Sequence, residues 1–297
     1  MSDLTLDDVT AADLHRLVAT VLAEDIGSGD RTAALIPADA YSTATIITRE
    51  AMVMAGRPWV DALFAQIESS VELDWSFADG DSVPADSTLC RLSGPSRALL
   101  SGERSALNLL QTLSATATAA AAYVDAVSGT GCRILDTRKT LPGLRLAQKY
   151  AVRCGGAMNH RVGLFDAVLI KENHILAAGG IGAAIADARG SNPGVLIEIE
   201  VESLEELDEA LTARPDRVLL DNFTVEELAA AVAANSRRPK NEQAELEASG
   251  NVTLQDVRDT AETGVDFISI GALTKHVKAI DLSMRVDASH QTEHSGD

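Results

Sequence analysis

The pattern of apolar and polar residues divides the chain into two parts near residue 115. The first part opens with a helical pattern over about 11–24, and a long alanine-rich helical pattern over about 97–128 leads into the second part. Between these helices, apolar runs separated by Gly, Pro and Asp predict strands at residues 44–48, 52–55, 71–77 and 88–92. This mixture predicts a first domain that combines helices with short strands.

Beyond residue 130, strand-like runs alternate regularly with helical segments. The predicted strands are residues 133–136, 167–171, 195–201, 217–221, 245–249 and 267–271. Two of the helices begin at capping-box patterns, one from Ser203 to Glu206 and the other from Thr224 to Glu227. Such alternation predicts a parallel sheet, either open or closed into a barrel. A complete barrel has about eight units, so six units predict an incomplete or atypical barrel.

Two polar segments lie outside this regular pattern. Residues 236–243 are expected to form an exposed loop, and the tail 287–297 is expected to be disordered. The acidic N-terminus lacks a secretory signal, and no apolar run approaches the ~18 residues of a membrane span. The three cysteines are widely spaced and form no Cys-x-x-Cys pair, which argues against a disulfide framework or a zinc site. These features predict a cytoplasmic protein without a membrane partner.

The distribution of charge argues against nucleic acid as a partner and favours a small anionic ligand. A formal net charge of −19 repels phosphate backbones and argues against nucleic-acid binding. Residues 131–175 nevertheless contain eight Lys or Arg residues against three acids. A cationic segment in an acidic protein predicts a pocket for a small polyanion, although any one of these cations could simply be solvated.

The predicted strands end in polar, charged or glycine residues. In open and closed α/β sheets, ligands bind at the carboxyl ends of the strands. The segments at these ends are residues 136–139, 171–174, 198–202, 221–222, 249–251 and 271–272. Their chemistry predicts a binding site at this edge of the sheet.

The ends of the last two strands are candidates for phosphate binding. Barrels often bind phosphate at this position through backbone N–H groups, and glycine lets the backbone approach the phosphate closely. The expected phosphate-binding residues are Ser249, Gly250, Asn251, Ile270, Gly271 and Ala272. Either glycine alone could merely terminate a strand.

The cationic residues of the site are candidates for binding other anionic groups. Arg138, Lys139, Arg161 and Lys171 together suit a substrate with several carboxylates or phosphates, because Arg binds carboxylates bidentately and Lys supplies a compact charge. A lone histidine is more often structural than catalytic, but the position of His160 next to Arg161 favours a place in the same pocket.

Two acids at neighbouring strand ends are candidate metal ligands. Glu200 and Asp221 are hard oxygen donors suited to Mg²⁺ that shares a substrate phosphate. The alternative is a structural ion pair with Lys171 or Lys139, and spacing alone does not separate the two interpretations. Glu198 and Glu202 could be wholly structural.

Several multi-residue motifs, in sequence order over roughly residues 10–285, resemble those of quinolinate phosphoribosyltransferases. The central motifs cover residues 136–140, 159–166 and 171–174. The remaining motifs cover residues 24–32, 102–108, 198–202, 220–223 and 248–251. This ordered series is far more specific than any single motif.

The resemblance implies a particular fold and assembly. It predicts an N-terminal α/β sandwich over 1–115 and an open, seven-stranded α/β barrel over 116–274. It also predicts a C-terminal helix over 275–286 that packs on the first domain. Members of the family are homodimers or larger homo-oligomers, which implies that Arg104 reaches the site of the neighbouring subunit.

The resemblance also implies a reaction and roles for the candidate residues. The family joins quinolinate to 5-phosphoribosyl-1-pyrophosphate (PRPP) with Mg²⁺, giving nicotinate mononucleotide, pyrophosphate and CO₂. Lys139, Glu200 and Asp221 are the implied catalytic residues, and Glu200 and Asp221 also the implied metal ligands. The implied substrate-binding residues are Arg104, Thr137, Arg138, His160, Arg161 and Lys171.

Three alternative functions have distinguishable consequences. A paralogous phosphoribosyltransferase would act on another acid. A Schiff-base aldolase would use Lys139 or Lys171 as the nucleophile, but the arginine-rich set does not suit it. A non-catalytic scaffold would be free to lose Glu200 and Asp221, which are both present.

Overall fold

The computed structural model describes residues 8–288 of the chain. The elements up to residue 126 are α1 (Asp8–Asp25), β1 (Tyr41–Thr48), β2 (Met52–Val53), α2 (Arg57–Ile67), β3 (Glu72–Trp75), β4 (Ser82–Val83), β5 (Thr88–Pro95) and α3 (Ser96–Ala126). The elements that follow are β6 (Arg133–Leu135), α4 (Arg145–Cys154), β7 (Val168–Ile170), α5 (Glu172–Ala178), α6 (Ile181–Ser191), β8 (Ile197–Val201), α7 (Leu204–Ala213), β9 (Arg217–Asp221), α8 (Val225–Ser236), β10 (Glu245–Ser249), α9 (Val257–Glu262), β11 (Phe267–Ser269), α10 (Ala272–Lys275) and β12 (Leu282–Ala288).

These elements form two compact units, and the second is inserted into the first. The second unit comprises Ala119–Leu141 and Gly156–His276, whereas Pro142–Gly155 and the described residues from Val277 to Ala288 belong to the first. The segment that contains α4 therefore leaves the predicted barrel region and joins the first unit. Helix α3 crosses the boundary at Thr118, as the helical pattern over 97–128 predicts.

The first unit is built on an antiparallel sheet with the strand order β12-β1-β5-β3. Every second residue of β1, from Ser42 to Thr48, is buried, because one face of the strand covers the core. On α2, Trp59, Leu63 and Phe64 are buried. The predicted helices and strands of this part are confirmed, whereas helix α2 and the two-residue strand β4 were not predicted.

The C-terminal segment contradicts the predicted helix over 275–286. Helix α10 ends at Lys275, and β12 pairs antiparallel with β1, so that Ile46 faces Met284 and Thr48 faces Leu282. The physical reason is a period of two: Leu282 and Met284 are buried, and Arg285 is exposed. Of the predicted disordered tail, 287–288 belong to β12 and 289–297 lie outside the described residues.

The second unit contains a parallel sheet. Its described residues form six strands in the order β6-β11-β10-β9-β8-β7, which confirms the six units of the alternation. Seven strands, as the resemblance implied, are not found in this part of the chain. Beside β6, a single parallel bridge joins Leu135 to Met158, and one residue pair does not make a strand.

The strand register places the predicted site residues next to one another. Ser249 of β10 pairs with Asp221 of β9, and Glu200 of β8 pairs with Leu219 of β9. The carboxyl ends of β8, β9 and β10 therefore lie side by side.

The starts of the helices largely follow the predicted caps. Thr224 and Glu227 form the reciprocal capping box at α8. At α7 only half of the box forms: Ser203 accepts from the backbone N–H of Glu206, but the Glu206 carboxylate accepts from the N–H of Glu202. The loop over 236–243 is largely exposed, as predicted, and includes a short 3-10 turn at Lys240–Glu242.

Candidate active site

A cavity of about 420 Å³ opens at the carboxyl ends of the parallel strands. We call it the cationic cavity, because four of its side chains are Arg138, Lys139, Arg161 and Lys171. The other predicted site residues in its wall are Thr137, His160, Glu200, Asp221 and Ser249. The structure therefore brings together five of the six predicted substrate-binding residues.

The sixth, Arg104, lies elsewhere. It is an exposed residue of α3 in the first unit and lines neither of the two cavities described here. Its implied role in a neighbouring subunit stays a prediction.

A second cavity of about 680 Å³ adjoins the first. We call it the glycine-lined cavity. All six predicted phosphate-binding residues line it, namely Ser249, Gly250, Asn251, Ile270, Gly271 and Ala272. Thr137, Lys139, Asp221, Ser249 and Ser269 belong to the walls of both cavities. A ligand that occupied both would pass these five side chains.

The position of Lys139 between the cavities is fixed by its backbone. Its N–H donates to Thr137 Oγ1 over 3.1 Å, and its carbonyl accepts from Thr274 Oγ1 over 2.8 Å. The side chain crosses Gly271, where an added Cβ would lie 3.1 Å from Lys139 Cδ. Because Gly271 has no side chain, it leaves room for the Lys139 side chain in addition to lining the cavity.

The candidate metal ligands lie close together. One carboxylate oxygen each from Glu200, Glu202 and Asp221 lies within 4.8 Å of the others, which suits a hard divalent cation. Asn222 Nδ2 donates to Asp221 Oδ2 over 2.8 Å and orients that carboxylate. Lys171 Nζ also contacts Glu200 Oε2, so the ion pair considered from the sequence is present beside the acid cluster.

A chain of hydrogen bonds holds the loop that carries His160 and Arg161. The buried Asp136 accepts from Asn159 Nδ2 over 2.7 Å and from the His160 N–H over 2.9 Å. The Arg161 N–H donates to His160 Nδ1 over 2.7 Å. Burial and the neighbouring charge of Arg138 lower the pKa of the Arg161 guanidinium.

Two buried acids lie behind His160. Its Nε2 is 2.9 Å from Glu198 Oε2 and 3.5 Å from Glu247 Oε2, and neither carboxyl group is exposed to solvent. Arg217 Nη1 is 3.3 Å from Glu247 Oε2. Desolvation raises the pKa of Glu198, and desolvation together with the charge of Glu198 raises the pKa of Glu247 to about 8.

Comparison with known proteins identifies the family. The quinolinate phosphoribosyl transferase C-terminal domain matches residues 116–285, and the N-terminal domain of the same name matches residues 30–114. A probable nicotinate-nucleotide pyrophosphorylase (carboxylating) from Synechocystis sp. is 42% identical over 89% of this chain and 90% of its own length. The nicotinate-nucleotide pyrophosphorylase structure from Francisella tularensis is 45% identical, with a TM-score of 0.87 over 93% of this chain and 96% of that one.

The chain belongs to the quinolinate phosphoribosyltransferase family.

The fold agrees with this quinolinate phosphoribosyltransferase assignment. NadC from Streptococcus pyogenes has a TM-score of 0.89 at 35% identity, covering 96% of this chain and 100% of that one. Within residues 8–288, no helix combines the length and the hydropathy needed to cross a bilayer.

Several cavity residues of this quinolinate phosphoribosyltransferase chain were not predicted. Lys275 and His276 line the glycine-lined cavity, and Glu247 lines the cationic one. Gly271 and His276 flank the short helix α10, which ends at Lys275, and the helix predicted from 275 obscured this signal. Glu247 had a detectable signal as well, since an acid in the centre of a predicted buried strand requires a partner.

Proposed function

We propose that this chain transfers a phosphoribosyl group from PRPP to quinolinate with loss of CO₂, forming nicotinate mononucleotide and pyrophosphate. The observation that carries the proposal is the shared wall of the two cavities, in which Lys139, Asp221 and Ser249 separate a cationic space from a glycine-lined one. A pyridine dicarboxylate in the first and a ribose phosphate in the second would meet at this wall.

The cationic cavity suits a dicarboxylate. Arg138 and Arg161 offer planar donor forks, and Lys171 adds a compact charge. Two carboxylates on adjacent ring carbons present two anionic groups, and a monocarboxylate would leave part of this charge uncompensated. Thr137 and His160 lie in the same wall and complete the proposed quinolinate site.

The glycine-lined cavity suits the 5′-phosphate of PRPP. Gly250 and Gly271 leave the backbone accessible, and Lys275 adds a positive charge and His276 an imidazole ring to the same space. The proposed phosphate-binding residues are Ser249, Gly250, Asn251, Ile270, Gly271 and Ala272.

Ring–ribose bond formation takes place at the shared wall. The pyridine nitrogen forms a bond to ribose C1 as the bond from C1 to pyrophosphate oxygen breaks, and positive charge develops at C1. Glu200 and Asp221 supply negative charge on that side, while Lys139 faces the departing pyrophosphate. Holding the two substrates in register contributes much of the rate.

Magnesium is the proposed cofactor, and the arrangement of the acids supports it. Glu200 and Asp221 would hold the ion, with Glu202 within reach. When bound, Mg²⁺ neutralises charge on the pyrophosphate leaving group. The contact between Lys171 and Glu200 orients that carboxylate.

Loss of CO₂ follows from the chemistry of the alkylated ring. Once its nitrogen is bonded to C1, the ring is cationic and stabilises the electron pair left when the adjacent carboxylate departs as CO₂. A proton then takes the place of the carboxylate. The protein needs no organic electron sink, and its part is to hold the ring between Arg138 and Arg161.

We also propose that the working enzyme is a homodimer or a larger homo-oligomer. Arg104 is exposed in the first unit, which is compatible with a place in the site of a second subunit. An Arg104→Ala variant should bind quinolinate more weakly and regain turnover when mixed with a Lys139→Ala variant, since mixed dimers would contain one intact site.

A mass-spectrometric assay tests the proposed reaction. Purified chain is incubated with Mg²⁺, PRPP and either quinolinate or nicotinate. The expected result is nicotinate mononucleotide from quinolinate alone, with one CO₂ released per product. Product from nicotinate would indicate a paralogue that acts on another acid. A protein adduct with a sugar phosphate after borohydride reduction would instead support the aldolase alternative.

A further inference from the structure

The buried pair Glu198 and Glu247 has no part in the reaction outlined above. The two acids lie on β8 and β10, and both have fully buried side chains. One oxygen of each lies within 4.8 Å of a ring nitrogen of His160 and of the other acid. Burying two carboxyl groups this close together is costly unless their charge is compensated.

The imidazole does not provide a full positive charge. His160 Nδ1 accepts the Arg161 N–H over 2.7 Å, so this nitrogen carries a lone pair and not a proton. The remaining proton is on Nε2, which faces Glu198 Oε2 at 2.9 Å and Glu247 Oε2 at 3.5 Å. His160 is therefore a neutral ring whose tautomer is fixed at Nδ1 and whose Nε2 is in contact with both acids.

The other groups that face Glu247 leave the cluster short of one positive charge. Arg217 of β9 approaches to 3.3 Å and also pairs with the half-exposed Glu245 at 2.8 Å. Ser269 of β11 contributes a side-chain hydrogen bond. Arg161 also acts on Glu198, so two guanidinium groups face the three carboxyl groups of Glu198, Glu245 and Glu247, which favours a proton on one of the two buried ones. Desolvation and the charge of Glu198 raise the pKa of Glu247 to about 8.

We propose that Glu247 is a positioning residue that, as a buried neutral acid, holds the ring of His160 and through it the backbone of Arg161 in the quinolinate site. The line of contacts runs from Glu247 to His160 Nε2, and from His160 Nδ1 to the Arg161 N–H. The inference rests on the proposed function for the identity of the ligand. The contacts themselves do not depend on it.

The test compares Glu247→Gln and Glu247→Ala with a matched control, Glu245→Gln. Glutamine keeps the shape of a protonated glutamic acid and cannot ionise, whereas alanine removes the contact. Glu245 lies on the same strand and pairs with the same arginine, but it points to partly exposed surroundings. Quinolinate dissociation constants are measured by calorimetry from pH 6.5 to 9, and the ¹⁵N shifts of His160 are recorded without substrate.

The expected outcome has two parts. Wild type binds quinolinate progressively more weakly as the pH rises through about 8, and Glu247→Gln lacks this component, while Glu245→Gln follows wild type. Glu247→Ala binds about tenfold more weakly at pH 7, as expected when a buried donor loses its partner, and Glu247→Gln restores most of that binding. The ¹⁵N shifts of His160 match those of wild type in Glu247→Gln and change in Glu247→Ala, which removes one of the two carboxyl contacts at Nε2.

Two results would overturn the inference. One is a tenfold loss of binding in Glu247→Gln at pH 7, which would require an ionised Glu247. The other is an alkaline weakening in Glu247→Gln as large as in wild type. If Glu247→Ala does not fold, the pH profile and the His160 shifts of Glu247→Gln decide alone. Failure of wild type to bind quinolinate would count against the proposed function, and the substrate-free ¹⁵N shifts would still test the positioning of His160.

Discussion

Gly250 lies directly against Asn222 in the wall of the glycine-lined cavity. A Cβ added at Gly250 would lie 2.9 Å from both the N and the Cα of Asn222, and closer still to its Oδ1. The backbone of Gly250 has φ +114°, and that of Asn222 has φ +58°. Two strand ends therefore approach at a distance that only glycine permits, and Asn222 in turn holds Asp221.

We expect Gly250→Ala to damage PRPP binding more than quinolinate binding. The left-handed conformation alone costs ~1–3 kcal/mol for a residue with a side chain, and the contact with Asn222 displaces the loop. A displacement of about 1 Å is expected to lower kcat/KM for PRPP roughly a hundredfold. Gly182→Ala is the control, since Gly182 lies inside α6 with open space around it. Equal kinetics in the two variants would contradict the proposed phosphate site.

Arg138→Ala should weaken quinolinate binding selectively. A charge-assisted hydrogen bond contributes ~1.5–3 kcal/mol, so KM for quinolinate should rise roughly tenfold to a hundredfold with little change in KM for PRPP. Arg189→Ala, which removes a half-exposed arginine paired with Asp216, should leave both constants unchanged. Near-normal saturation by quinolinate in the Arg138→Ala variant would refute the assignment of the cationic cavity.

Asp221→Asn should increase the requirement for Mg²⁺. Replacing one anionic ligand is expected to raise the half-saturating Mg²⁺ concentration at least about tenfold, and chelation of the metal should abolish turnover in wild type. Glu226→Gln changes an exposed acid at the start of α8 and serves as the control. An unchanged Mg²⁺ titration curve for Asp221→Asn would place the ion elsewhere.

The free energy of unfolding should decrease as the pH rises, because Glu247 is protonated in the folded chain. Its carboxyl group keeps its proton up to about pH 8 in the folded chain but releases it near 4.5 when unfolded. Between these values the folded state binds the extra proton, so the free energy of unfolding decreases as the pH rises, by at most about 1.4 kcal/mol per pH unit. Urea unfolding from pH 5 to 8.5 should show a shallower decrease for Glu247→Gln. Parallel curves for the two proteins would mean that Glu247 ionises normally.

The three thiols should be unreactive in the folded protein. Cys90, Cys132 and Cys154 are buried, and desolvation raises the pKa of each to about 12. Since the thiolate is the reactive form, a disulfide reagent at pH 8 should label them slowly in buffer and completely in urea. Rapid labelling of the native chain would show that one of these sites opens readily.

The second unit was the more predictable part of the fold. Its parallel strands are short, continuous apolar runs between well-marked helices, so both the number of strands and most of their bounds followed from sequence. The C-terminal strand was missed because the partner of Leu282–Ala288 is β1, more than two hundred residues earlier in the chain. Local pattern does not reveal a partner at that distance, although the alternation of Leu282 and Met284 was visible.

The site was predictable where chemistry coincides with strand ends. Arg138, Lys171 and Asp221 each follow or close a strand, and the sheet brings such positions together. The buried layer below was not predictable in the same way. The relation between His160 and Glu247 depends on the direction of two side chains from different elements, which the spacing of residues along the chain does not determine.

The position of β12 has a consequence for the order in which the chain folds during synthesis. Strand β12 completes one edge of the sheet to which β1 belongs, yet it leaves the ribosome after all the strands of the second unit. The first unit is therefore completed last, and one edge of β1 stays unpaired until β12 has been synthesised. A chain that stops before Leu282 lacks β12, so one edge of β1 stays unpaired. Such a truncation would therefore disrupt the N-terminal sheet, although it removes no strand of the parallel sheet.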